Sequence, residues 1–166
     1  MNHNLNLSQH ETFETKLALL QEVLDKKRAA LTIVLNISEN QETLYLSPPS
    51  DERREFLMEM GKEKQAQIDE VLICDEVFQR IFDSIADEFK ENSETYAEKI
   101  RQLQFSINEV LELDVKIRAQ EEKGKAAANK SFSRQSAQAN INPANTSYIL
   151  EQYRAASKNK PQTGGN

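Results

Sequence analysis

The chain has 166 residues, enough for one domain, with a low apolar fraction of 38%, a high charged fraction of 29%, no tryptophan and a net charge of −6. Four glycines and four prolines argue against a β-rich fold with many turns, and favour an elongated helical protein coated in charge. Residues 1–117 carry 13 Lys/Arg against 24 Asp/Glu, a net −11, and the remainder eight against three, a net +5; an acidic body of this kind argues against nucleic-acid or anionic-membrane binding.

Residues 1–7 are polar and Asn-rich, without a basic stretch followed by an apolar one, and nowhere do about 18 apolar residues run together. The chain therefore reads as cytoplasmic and soluble, with no membrane insertion. Ser8, with Glu11 three residues on, has the pattern of a capping box and predicts the start of a first helix. That helix carries Phe13, Leu17, Leu20, Leu24, Leu31 and Val34 at alternating spacings of four and three, a heptad pattern in which Lys27 occupies an apolar position. The pattern weakens through Ser38-Glu39-Asn40-Gln41 and resumes at Leu44 and Leu46. Ala29, Ile33 and Ile37 lie off the main stripe and offer a second apolar face, or a homodimer contact.

Ser47-Pro48-Pro49-Ser50 is the clearest break. Two prolines end one helix, Ser50 caps the next, and Asp51 and Glu52 fall in a first turn where the helix dipole favours negative charge. So short a link makes the first two helices antiparallel neighbours. The second helix is the stretch around which the chain is organised. From Ser50 to Phe89 it places Phe56, Leu57, Met60, Ile68, Val71, Leu72, Phe78, Ile81, Phe82, Ile85 and Phe89 along one face. Unbroken, it would be about 60 Å long and would need other helices to cover it. The lone cysteine, Cys74, sits within it as a small core residue and excludes an internal disulfide.

Glu91-Asn92-Ser93-Glu94 is the next weak point, where Ser93 is a possible cap. A third helix follows with Tyr96, Ile100, Leu103, Ile107, Val110, Leu113 and Ile117, and Gly124 marks its fraying or end. Phe105 and Leu111 lie off this stripe and are candidates for binding another protein. From Ser131 to Asn145 the composition turns to Ser, Gln, Asn and Ala, as in a linker. Beyond it lies an apolar island, Tyr148, Ile149, Leu150 and Tyr153. It reads either as a last short helix folded back on the bundle or as a tethered recognition helix, in which tyrosine offers large contact area with a polar end.

Catalytic signals are absent from this pattern. His3 and His10 lack partners at metal-ligand spacing, no glycine-rich loop cradles a phosphate, and no serine sits in a nucleophile elbow. The carboxylates recur on helical faces, where solvation and pairing with Lys/Arg account for them. The expectation is a protein without enzymatic activity, cofactor or metal.

Leu24-Asp25-Lys26-Lys27-Arg28, the segment Leu31 to Gln41, the charged run from Lys62 to Val71, Asp75-Glu76-Val77-Phe78, the run from Ile107 to Asp114, and Lys123 to Lys130 before a tyrosine-bearing tail together resemble the FlgN/FliT class of flagellar type III export chaperones. The resemblance spans roughly residues 10 to 155. It implies a small cytosolic chaperone that binds aggregation-prone ends of filament-junction or cap subunits and delivers them to an export-gate component, with Tyr148 and Tyr153 in its contact region. The reading is an all-α protein. Residues 8–130 form a long antiparallel three-helix bundle, and residues 131–166 form a linker and short amphipathic segment. The alternative is a structural coiled-coil protein that only self-assembles.

Overall fold

The computed structural model describes the backbone of residues 3–138 and side chains over residues 12–135. Within that span the protein is all-α, with three long helices and no strand among the described residues. Helix α1 runs His3–Leu46, α2 runs Asp51–Ile85, and α4 runs Ala97–Gln138; a 3₁₀ turn at Ala86–Glu88 and the short α3, Phe89–Asn92, join the last two.

Local chemistry accounts for most of these boundaries. Ser50 is extended at φ −154° and ψ 161°, and its hydroxyl accepts the Arg53 backbone N–H at 3.0 Å, with Asp51 and Glu52 following in the first turn. The other end of α2 comes earlier than the unbroken rod expected to Phe89. The helix stops at Ile85, and the Asn92 side chain donates to the Glu88 carbonyl at 2.7 Å inside the connection. Ser93 does not cap α4; its hydroxyl donates back to the Lys90 carbonyl at 3.2 Å, and α4 starts at Ala97. Ser8 likewise lies within α1, which begins five residues before it at His3. α4 passes through Gly124 and continues to Gln138, into the stretch expected as linker.

The bundle goes up, down and up. Lys27 bonds Asp75 and Lys64 bonds Gln41, so residue numbers rise along α1 as they fall along α2. Glu14 pairs with Lys99 and Arg28 with Glu109, so α1 and α4 run parallel. α1 is the hub: α2 and α4 each lie along it, while their own backbones hardly approach one another. The core follows from that. Phe13, Leu17, Leu20, Leu24, Leu31 and Val34, the heptad residues of α1, are all buried, together with Leu103 and Val110 of α4. α2 buries only Cys74 and Ile85. Ile37 joins the core, whereas Ala29 and Ile33 remain exposed, so these three do not form one face.

Candidate functional site: the open seam between α2 and α4

Three seams separate the helices, and two of them are closed along their length. On the α1–α4 seam, residues 14, 21, 28 and 42, at multiples of seven along one edge of α1, each bond α4. Lys99 bonds Glu14, Gln21 donates to Ser106 Oγ at 2.8 Å, Arg28 to Glu109 at 2.6 Å, and Gln120 to Glu42. On the α1–α2 seam, Lys27 meets Asp75 at 2.5 Å and the buried Ala30 and Ile37 fill the edge of α1. A lysine at an apolar position is thereby explained: its stem lies in the bundle and its ammonium reaches a carboxylate.

The α2–α4 seam differs. It is tied at the end nearest the proline link, where Lys64 bonds Glu121 and Arg53 donates to Ser131 Oγ at 3.1 Å. Those pairs set the register of two antiparallel helices. Leu72 lies eight residues beyond Lys64, and Leu111 ten residues before Glu121, so they stand within about 3 Å of the same level. Each is rotated about 80° from its tie, and because the helices run oppositely both turn to the same side, away from α1. Leu72 is 52% and Leu111 57% exposed. The half-buried Ile68 and Ile107 stand nearer the middle of the seam. Phe82 is in line with Lys64, five full turns on, and stacks against Phe78 with ring centroids 6.2 Å apart.

The row of unpaired acidic residues lies on one side of the rim. Asp69, Glu76 and Asp83 follow each other at sevens along the outer edge of α2, all exposed. Asp69 accepts from Gln65 at 2.9 Å and Asp83 from Gln79 at 2.8 Å, and among the described residues none of the three has an ion-pair partner. On α4 the matching edge carries Asn108, Val115 and Arg118, the last bonded to Asp114. An apolar trough beside an acidic row is a surface that fits an amphipathic helix with one basic edge. The apolar part runs from Phe82 to Ile68, about 21 Å or four helical turns.

The residues expected to bind a partner divide. Leu111 lies in this seam. Phe105, 64% exposed, does not, since six residues of helix turn it about 120° away. Tyr148, Ile149, Leu150 and Tyr153 lie outside the described residues. Leu72, Ile68 and Phe82 belong to the single α2 face that the periodicity predicts to be covered by other helices, and periodicity alone does not single out the acidic sevens. The width of the α2 stripe, with apolar residues side by side at Val71-Leu72-Ile73 and Ile81-Phe82, was the available signal, because a single neighbour cannot cover so broad a face.

Among the described residues no three His, Cys, Asp or Glu side chains gather as a metal site, and no helix is long and apolar enough to cross a membrane. Compared with known protein families, with curated proteins and with solved structures, the chain matches none.

Proposed function

We propose that the protein is a non-enzymatic helical adaptor that holds an amphipathic helix of another protein in the α2–α4 seam. In its finer form the proposal is an export chaperone of the flagellar type III kind. Its client would be the amphipathic end of a hook-associated or cap subunit, kept from premature assembly and handed to the export gate in the cytoplasm. The observation that carries the reading is the pair Leu72 and Leu111, level with each other and exposed beside Asp69, Glu76 and Asp83. A client that must be released suits a Kd near the micromolar range, about −8 kcal/mol, and an apolar trough four turns long is of that scale.

The test uses purified full-length protein and labelled terminal peptides of hook-associated and cap subunits, followed by fluorescence anisotropy. Binding with a Kd of about 1–10 μM should weaken at least tenfold in Leu72→Asp and Leu111→Asp. Phe105→Asp, on another face, should leave it unchanged. Binding that survives both seam substitutions removes the seam from the reading. The alternative, a self-assembling coiled coil, is favoured if no such peptide binds and the chain instead forms oligomers that the seam substitutions dissolve.

A further inference from the structure

The packing of the bundle changes character along its length. Its largest fully buried side chains, Phe13, Leu17, Leu20 and Ile85, stand at the end where α1 begins and α2 finishes. Towards the proline link a polar layer crosses all three helices. The Ser38 hydroxyl donates to Glu121 Oε1 at 2.8 Å, Lys64 bonds the same oxygen, and Lys64 also donates to Gln41 Oε1 at 3.1 Å. One residue away Gln120 bonds Glu42.

Just beyond this layer the two helices each place a glycine. Three residues from Lys64 is Gly61 and three residues from Glu121 is Gly124, so in the register of that pair they stand at one level. A Cβ built on either meets nothing within 4 Å, and neither has the positive φ that would require glycine. Two of the poorest interior helix residues therefore occupy a level where the bundle has room. Past them, α4 lays little on its neighbours. Ala127 and Ala128 are buried but small, Phe132 is the one large apolar residue of this stretch, and Arg53 reaches across to Ser131 Oγ at 3.1 Å. In the register of the Lys64–Glu121 pair Leu57 and Met60 of α2 stand level with residues 128 and 125 of α4, and both are half-buried, as are Leu44 and Tyr45 near the end of α1.

We propose that residues 124–138 form an arm that opens as one cooperative unit at the Gly61/Gly124 level, while the bundle on the far side of the Lys64–Glu121 layer stays folded. Burial supplies the reason: a segment with few apolar contacts has an opening free energy well below that of the core. Opening leaves Leu57 and Met60 of α2, which stand level with the arm, more exposed. It is independent of whether the α2–α4 seam holds a client.

Native-state hydrogen exchange of the full chain, read by mass spectrometry with graded low urea, tests this. Residues 125–135 should exchange through a single shared opening with a weak urea dependence, while residues 103–117 exchange only with global unfolding. Gly124→Ala should slow exchange of the arm about fivefold and leave the urea dependence of residues 103–117 in place, an effect of the size expected for replacing an interior helical glycine. Arm and core exchanging together at one rate would overturn the proposal. So would a smooth gradient of exchange inward from Gln138, which is ordinary end fraying. A Gly124→Ala variant whose arm exchanges as fast as before also excludes it.

Discussion

Phe13→Ala is the sharpest test of how the bundle is closed at its lower end. The Phe13 ring is fully buried, lies edge-on to Phe89 at 5.3 Å and 81°, and sits 5.3 Å from Tyr96. Phe89 in turn lies 5.4 Å from Phe82, so one aromatic chain joins α1, α2, α3 and the turn just before α4. Truncation to alanine removes the transfer free energy of the ring and leaves a cavity, a change of about 3–5 kcal/mol in buried sites. The lost edge-on contact falls within that range, at about 0.5–1.5 kcal/mol. A value near 4 kcal/mol is about a quarter or more of the stability of an ordinary domain. Urea denaturation followed by circular dichroism at 222 nm reads it directly. With a slope of about 2 kcal/mol per molar, the midpoint should fall by about 2 M at unchanged slope. Phe105→Ala, at an exposed site, should move it by less than about 0.3 M. A Phe13→Ala loss below about 1 kcal/mol would mean that α1 is not anchored on Phe89 and Tyr96, and the description of this end would be wrong.

Three further outcomes follow from single contacts. Ser50→Ala removes the acceptor of the Arg53 N–H and should cost about 1 kcal/mol in the same denaturation assay, because the first turn of α2 loses its cap. The Cys74 thiol is pushed up by burial and by the charges of Glu70 and Asp75, against which Lys26 and Lys27 act in the other direction. Iodoacetamide at pH 8 should therefore alkylate it about tenfold or more slowly in the native protein than in urea, and equal rates would show the thiol is not buried. Burial pushes the Glu121 carboxyl up, but hydrogen bonds from Lys64 and Ser38 and the charges of Lys64 and Lys125 outweigh it and leave it below the usual carboxylate range. Its contribution is therefore complete above the ordinary carboxylate value and is lost as the pH falls through the lowered folded value. Between pH 7 and 3 the urea midpoint of the native chain should drop more steeply than that of Glu121→Gln, and parallel curves would remove Glu121 as a titrating contributor.

What could be read in advance was the part of the fold that local periodicity controls. Every heptad residue named on α1, from Phe13 to Val34, is buried, and the Ser50 cap stands where serine, two acids and the preceding prolines put it. What could not be read depends on residues far apart in the chain. Ser38-Glu39-Asn40-Gln41 looked like a weakening of the stripe. Its purpose appears only when Lys64 and Glu121, 57 residues apart, meet Ser38 and Gln41. Gly124 looked like an end because glycine is a poor helix residue, but the flanking Lys and Ala residues favour helix and carry α4 to Gln138. Of the candidate site, Leu111 was legible as an off-stripe apolar residue, and its partner Leu72 was not. Knowing that the two stand level required the antiparallel register that Lys64 and Glu121 establish.

The same register explains why the helix that looked central is not the hub. A helix between two neighbours can bury both flanks of its stripe, and α1 does so with a regular and rather narrow heptad. α2 has the broader apolar face but only α1 along its length, so Phe56, Leu72, Ile73 and Phe82 stay at least one-third exposed. A chain meant only to fold as three helices gains little from that surplus, which adds a hazard of association. The surplus has a use if a fourth helix is to be taken up and given back. Fixed partners would need a larger and more apolar interface than one trough supplies. The acidic sevens on α2 would then select occupants with a basic edge and speed their arrival more than they tighten the complex. On this reasoning raising salt should slow association through the seam and leave dissociation nearly unchanged, whereas Leu72→Asp should act mainly on dissociation.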